Sequence, residues 1–347
     1  MIGPLTESDG LRLAAWLDSH LPALGQGPLK ARVLSGGASN LVMVIARDGP
    51  SVVLRRPPLK PRPDSEKIIG REARVLKALG GTDVPHPRFM ASCEDKAVIG
   101  APFYIMALVE GWLGHGAAPP PPFDHPGHER RNLGFALVEG IARLAKVDYR
   151  AVGLEGFGKP EGFLARQVER WRGQLASYRD SEGYQGRDIP GLAYAADWLE
   201  ANRPEASPPG ILHGDYSFAN CLFEREPPAR VAAMIDWELA TIGDPLLDLG
   251  WVCYGFCGRK DPESPAGYFD AADFPYREDL ADYYAERTGR SVEHLTYYMV
   301  LAQYKLAVIM ERHYARWKAG KQAHSADSET FVLRLAAKAE AMARGRA

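Results

Sequence analysis

The chain lacks the features that mark several large protein classes. Cysteine is scarce, four in 347 residues, too few to frame a disulfide-stapled domain. Cys253 and Cys257 share helical spacing, but no second pair with metal-ligand spacing accompanies them, so buried free thiols are expected. An excess of either charge sign is also missing. With 42 basic and 44 acidic residues the formal charge is -2, which argues against the basic face of a nucleic-acid binder. No apolar run is long enough to cross a bilayer, and residues 301–310 are interrupted by Gln303 and Lys305. The amino terminus has Glu7 and Asp9 where a signal peptide would have a basic region, so a cytoplasmic location without membrane attachment is expected. No repeat period is evident. The small-residue turn at 35–40 has no Gly-Lys-Ser/Thr at the offset of a Walker A loop.

What is present is a 46% hydrophobic content, enough to fill one large or two ordinary domains, and one dense stretch of polar chemistry. Residues 211–250 read ILHGDYSFANCLFEREPPARVAAMIDWELATIGDPLLDLG. VAAMI is a short apolar run bounded by loop residues, the signature of a buried strand, which puts Asp236 at a strand end. Two acids and an amide, Asp215, Asn220 and Asp236, brought to neighbouring turns offer the hard oxygen ligands that magnesium takes alongside substrate phosphates. Asp215 is the candidate acceptor of a hydroxyl proton. His213, beside Gly214 in a tight loop, is expected to brace that loop through its ring rather than act as base. For any one of these aspartates alone, a turn or cap role is the commoner fate.

HGDYSFAN followed by IDWELATIGDPLLDL resembles the aminoglycoside phosphotransferase-like family of the protein-kinase-like fold, especially its branch related to the kinase-like domains of acyl-CoA dehydrogenase family proteins. The resemblance implies that Asp215 is the catalytic aspartate, that Asn220 and Asp236 are magnesium ligands, and that Asp248 braces the catalytic loop. It runs from the region of Gly37 to about residue 315. Family members often carry a basic residue where this chain has Ser217 and an acidic one where it has Ala219. That departure keeps a second reading open, a non-catalytic nucleotide-binding or interaction module with the same fold.

In chain order, Ser8 is the candidate cap of a first helix running to about Leu21. Residues 30–46 read as strand, small-residue turn and strand, with Gly37, Ser39 and Asn40 in a turn whose backbone amides can cradle phosphate, or which is an ordinary hairpin. VVLRR continues as a third strand in which Arg55 and Arg56 face opposite ways. By resemblance Arg55 contacts nucleotide phosphates and Glu72, in the helix over 67–79, pairs with it. FYIMALVEG resembles the edge strand and hinge of the family. Met106 lines the nucleotide pocket or simply the core, and the backbone of Ala107 to Val109 meets the adenine edge. The Pro-rich segment 117–128 is a loop, and helical patterning dominates from 129 on. Lys305 and Arg312, seven apart on a long helix, either reach the acceptor side of the cleft or are solvated.

The expected architecture is therefore α+β and two-lobed: a strand-rich lobe over 1–109 that binds nucleotide, and a mainly helical lobe over 110–347 that carries catalysis and the acceptor. ATP with magnesium sits between them, and the partner is a small-molecule hydroxyl acceptor.

Overall fold

The computed structural model describes residues 5–36, 40–61, 63–114, 119–205, 207–261, 274–321, 323 and 326–345. The first lobe is a five-stranded antiparallel sheet in the order β1-β2-β3-β5-β4. The strands are β1 (Lys30–Gly36), β2 (Leu41–Ala46), β3 (Val52–Arg56), β4 (Phe89–Cys93) and β5 (Phe103–Ala107). Because side chains alternate along a strand, β3 and β5 feed two different cores. Val52, Leu54, Phe103 and Ile105 pack with Leu13 and Leu17 of helix α1 (Glu7–His20). Val53, Tyr104 and Met106 instead join Ile69, Ala73, Leu76 and Leu79 of helix α2 (Ser65–Leu79) in a core that continues into the second lobe.

The alternation decides where the two arginines go. Arg56 turns toward α3 (Lys96–Ile99), where its Nη1 donates to the Ile99 carbonyl at 2.6 Å. Arg55 turns toward α2. The cap of α1 is Thr6, not Ser8: the Thr6 hydroxyl accepts from the Asp9 amide and the Asp9 carboxylate accepts from the Thr6 amide, both at 3.1 Å. Asp9 three residues after the cap closes this box, and Ser8 lies inside the first turn.

The second lobe begins with β6 (Trp112–Leu113) and continues through α4 (His128–Lys146), α5 (Gln167–Ser181) and α6 (Leu192–Ala201). Two short sheets follow. One pairs β7 (Gly210–Leu212) with β10 (Thr241–Gly243), and the other has the order β6-β8-β9, with β8 (Cys221–Phe223) and β9 (Val231–Met234). Then come α7 (Leu246–Cys253), α8 (Arg277–Thr288), α9 (Leu295–Lys318) and α10 (Ala326–Ala343). Helix α9 is the axis of this lobe and packs against α5, α6, α7 and α10. Its residues Tyr298, Val300, Leu301, Ala302, Tyr304 and Ala307 are almost wholly buried. Gly250 of α7 allows a close approach to α9: a Cβ there would lie 2.5 Å from the Tyr298 backbone carbon.

Helix α2 also ties the lobes together. Arg71 donates to the Phe157 and Ala240 carbonyls, each at 3.0 Å, with its guanidinium 4.0 Å over the Phe157 ring. The four cysteines are buried and free. Among the described residues no helix is long and apolar enough to cross a membrane.

Candidate active site

On the first-lobe side, a buried triad of polar groups lies between β3, β5 and α2. Glu72 is fully buried; Arg55 Nε lies 2.8 Å from one of its oxygens and Nη2 donates to the other at 3.0 Å. Tyr104, directly across from Arg55 in the β3–β5 register, donates its hydroxyl to Glu72 at 2.7 Å. Burial pushes the Glu72 carboxyl up to about 7 against the pull of Arg55 and the Tyr104 hydroxyl. Burial opposes the Arg55 charge too, but Glu72, Tyr104 and Asp236 hold it firmly in the protonated form.

On the second-lobe side the chain leaves β7 at Leu212 and returns in β8 at Cys221, and the intervening turn is fixed from several directions. Asp248 of α7 accepts the amides of His213 at 2.7 Å and Gly214 at 2.9 Å. The His213 ring lies 3.0 Å from the Ile235 carbonyl through Nε2, so Nε2 carries the proton, while buried Nδ1 has no partner among the described residues. Burial lowers this imidazole to about 4, leaving it a neutral brace at ordinary pH. Gly214 has φ +83°, and a Cβ there would lie 2.5 Å from the Leu239 carbonyl oxygen, so only glycine fits.

Asp215 follows, half-buried, with the Asn220 amide donating to its carboxylate at 3.0 Å and to its backbone carbonyl at 2.7 Å. Burial pushes the Asp215 carboxyl up to about 6. Lys305 and the Asn220 hydrogen bond oppose the rise, while Asp236 and Asp248 add to it.

Asp236 joins the two sides. Its backbone sits in the left-handed region at φ 68°, a conformation that costs a non-glycine residue of order 1–3 kcal/mol and that the surroundings must enforce. The preceding amide, Ile235 N–H, donates to the Asn220 carbonyl at 2.9 Å. The Asp236 carboxylate meets Arg55 Nη2 at 2.6 Å, so Arg55 bridges Glu72 behind it and Asp236 across the cleft. Carboxylate oxygens of Glu72, Asp236 and Glu238 lie within 4.8 Å of one another. Such a set of hard oxygen donors, beside an amide-bearing Asn220, fits magnesium in chemistry.

The structure thus brings together Asp215, Asn220, Asp236, His213, Asp248, Arg55 and Glu72. At the hinge, Met106 is buried in the core, Val109 is half-buried, and the Ala107 amide is engaged by the Arg88 carbonyl at 2.9 Å. Asn40 is buried just before β2, whereas Gly37 and Ser39 lie outside the described residues.

Of Lys305 and Arg312 on α9, Arg312 does not reach the cleft. Its Nε pairs with Glu182 at 3.2 Å, in a cluster with Arg316 and Lys321. Lys305 is buried behind the turn that carries Asp215, donating to the Gly214 carbonyl. The sequence reading missed Tyr104 and Glu238. Strand register was the available signal for the first, and the offset of two from Asp236 for the second.

A strand-rich lobe and a helical lobe joined by a short hinge, with this acid–amide–acid set between them, define a kinase-like phosphotransferase fold, one capable of ATP-dependent phosphoryl transfer to the hydroxyl of a small molecule. The chain belongs to the phosphotransferase enzyme family, whose profile matches residues 30–283. It is 30% identical to acyl-CoA dehydrogenase family member 11 of Gallus gallus over 91% of its own length and 41% of that protein's. The chain therefore spans about two fifths of the curated relative it matches. A solved structure of a candidate aminoglycoside phosphotransferase from Ralstonia eutropha superposes with a TM-score of 0.80 at 30% identity, covering 96% of this chain and 98% of that one. The GDP and kanamycin complex of an aminoglycoside 2''-phosphotransferase shares the fold, with a TM-score of 0.61 at 16% identity over 95% and 99% of the two chains.

Proposed function

We propose that the protein transfers the γ-phosphoryl group of ATP to a hydroxyl of a small metabolite, with a hydroxyacyl-CoA as the acceptor to which its acyl-CoA dehydrogenase-family relatives point. The observation that carries this reading is Asp215 held by Asn220 on one side of the cleft, with Asp236 paired to Arg55 on the other. On this reading residues 1–109 grip the nucleotide: the backbone of Ala107 to Val109 meets the adenine edge, and Arg55 is aimed at the phosphates by Glu72 and Tyr104. Residues 110–347 carry the catalytic turn and the acceptor. Asn220 and Asp236 would hold magnesium, which supplies charge neutralisation on the phosphates when bound.

The chain's own part in the chemistry is small and positional. Asp215 orients the acceptor hydroxyl and receives its proton as the acceptor oxygen bonds to the γ-phosphorus. The bond from that phosphorus to the bridging oxygen breaks, and ADP leaves. Asn220 sets the direction of the Asp215 carboxylate, and Asp248 with His213 keeps the turn from moving. Four buried free thiols fit a reducing cytoplasm as the compartment.

The test is a pool of hydroxyacyl-CoA esters and other hydroxylated metabolites incubated with γ-labelled ATP and magnesium. Label appearing in an acceptor is the expected result. Magnesium-dependent nucleotide binding with no transfer to any acceptor, and none to water, would replace this reading with a non-catalytic nucleotide-binding module, the outcome that Ser217 and Ala219 keep in view.

A further inference from the structure

Lys305 lies two helical turns beyond Tyr298, which packs against Gly250 of α7. That contact sets the register between the two helices, so Asp248 from α7 and Lys305 from α9 arrive together at the turn before Asp215. Asp248 holds the Gly214 amide, and the Lys305 ammonium donates to the Gly214 carbonyl. The two ends of one residue's backbone are thereby clamped from two different helices. The carbonyl that Lys305 holds belongs to the peptide plane joining Gly214 to Asp215, and a peptide plane is rigid, so its orientation fixes where the Asp215 side chain departs.

A buried ammonium is an expensive way to fill space. Desolvating it carries a cost that an apolar side chain packed between the tryptophans would not. Lys305 is 6% exposed, with the ring of Trp251 at 4.5 Å and that of Trp171 at 5.6 Å. The aromatic faces recover part of the cost. The groups that face its charge are Asp215 in the turn, Asp248 on α7 and Arg170 on α5. Burial lowers its pKa to about 8, with the two aspartates working against the fall. What the lysine offers that a hydrocarbon would not is a charged donor aimed at one carbonyl, next to the residue that handles the proton.

We infer that Lys305 is a positioning residue for the phosphotransfer reaction, orienting Asp215 by locking the Gly214–Asp215 peptide plane from behind. The inference rests on the phosphotransferase reading, and one measurement below is independent of it.

The variants are Lys305→Met, which removes the donor, and Lys305→Gln, which keeps an N–H within a similar length and covers the case in which the methionine variant does not fold. Glu311→Gln is the control, a buried change on the same helix that weakens the pairing with Arg187 and Tyr184. ATP hydrolysis with water as acceptor supplies turnover without an identified substrate. Hydrogen exchange of the amides of residues 214–220 reports the turn directly.

The expected result is a fall in kcat of about a hundredfold for Lys305→Met, the scale of a 1 Å misplacement of a reacting group. Affinity for a nonhydrolysable ATP analogue should stay within about threefold, since on this reading Lys305 does not touch nucleotide. Exchange in 214–220 should accelerate, and Lys305→Gln should recover part of both losses. Unchanged exchange in the turn, or an equal kcat loss in Glu311→Gln at a matched fall in Tm, would overturn the inference. If the unmodified protein and its Asp215→Asn variant are equally inert toward ATP, with water and with the pool of hydroxylated acceptors, the phosphotransferase reading falls, and the exchange data alone decide whether Lys305 holds the turn.

Discussion

The two sides of the cleft hold their charges differently. In the first lobe, Arg55, Glu72 and Tyr104 are gathered by one strand position, its cross-strand partner, and a helix packed on the same face. In the second lobe, the turn carrying Asp215 is held by groups from α7, from α9 and from the end of β9, none of them a sequence neighbour. The first arrangement tolerates a small shift, because a guanidinium fork has several donors and meets phosphate from more than one angle. The second does not, because a proton acceptor must lie within hydrogen-bond reach of one hydroxyl. The comparison predicts that losses on the second-lobe side fall on turnover, while those on the first-lobe side fall on nucleotide use.

Asp236, which belongs to both sides, should give the largest effect. Asp236→Ala removes a proposed metal ligand and the cross-cleft partner of Arg55. A loss of several kcal/mol of charge stabilisation corresponds to roughly a thousandfold or more in turnover. Removal of magnesium by chelation should match it, and unchanged magnesium-dependent activity in the variant would withdraw the assignment.

Asp215→Asn comes next, with about a hundredfold to ten-thousandfold lost in kcat and little change in calorimetric affinity for a nonhydrolysable analogue. A pH profile sharpens this. Burial raises the Asp215 carboxyl to about 6 from its ordinary value near 3.8, so the ionised, proton-accepting form is lost as pH falls through about 6. Turnover should drop about tenfold per pH unit below that point and stay flat just above it. A near-wild-type rate for Asp215→Asn would assign the proton to another group.

Glu72→Gln should act more gently, weakening ATP use by roughly tenfold through a less ordered Arg55. Combined with Arg55→Met, the double variant should lose less than the sum of the two singles, because the residues share one interaction. Strictly additive losses in folded variants would separate them.

The smallest effect is expected for Tyr104→Phe, which deletes one hydrogen bond to a buried carboxylate, worth about 1–3 kcal/mol in stability. Its signature is a lowered Tm with kcat changed only a few-fold. A kcat collapse without a Tm shift would move Tyr104 from support to chemistry.

What could be read from the residues follows the range over which sequence patterns act. The alternation of VVLRR separated Arg55 from Arg56, and the spacing in HGDYSFAN and VAAMIDW picked out Asp215, Asn220 and Asp236. The α1 cap is a local feature that the expectation at Ser8 misses by two residues: Thr6 and Asp9 have the spacing of a capping box. Arg312 and Lys305 are indistinguishable by pattern, both being basic residues on one long helix, yet one lies by Glu182 and the other behind the turn that carries Asp215.

By itself, then, the sequence determined which short segments are strands and helices, which face each turns inward, and which polar residues cluster on their connecting turns, since these follow from periods of two and 3.6 residues and from backbone turn chemistry. Only the tertiary structure decided that Asp236 faces Arg55, that Tyr104 meets Glu72, and that a lysine 91 residues from Gly214 closes the turn from behind. Those contacts depend on helix register and lobe docking, which are set by packing surfaces such as Gly250 against Tyr298 that no local period encodes.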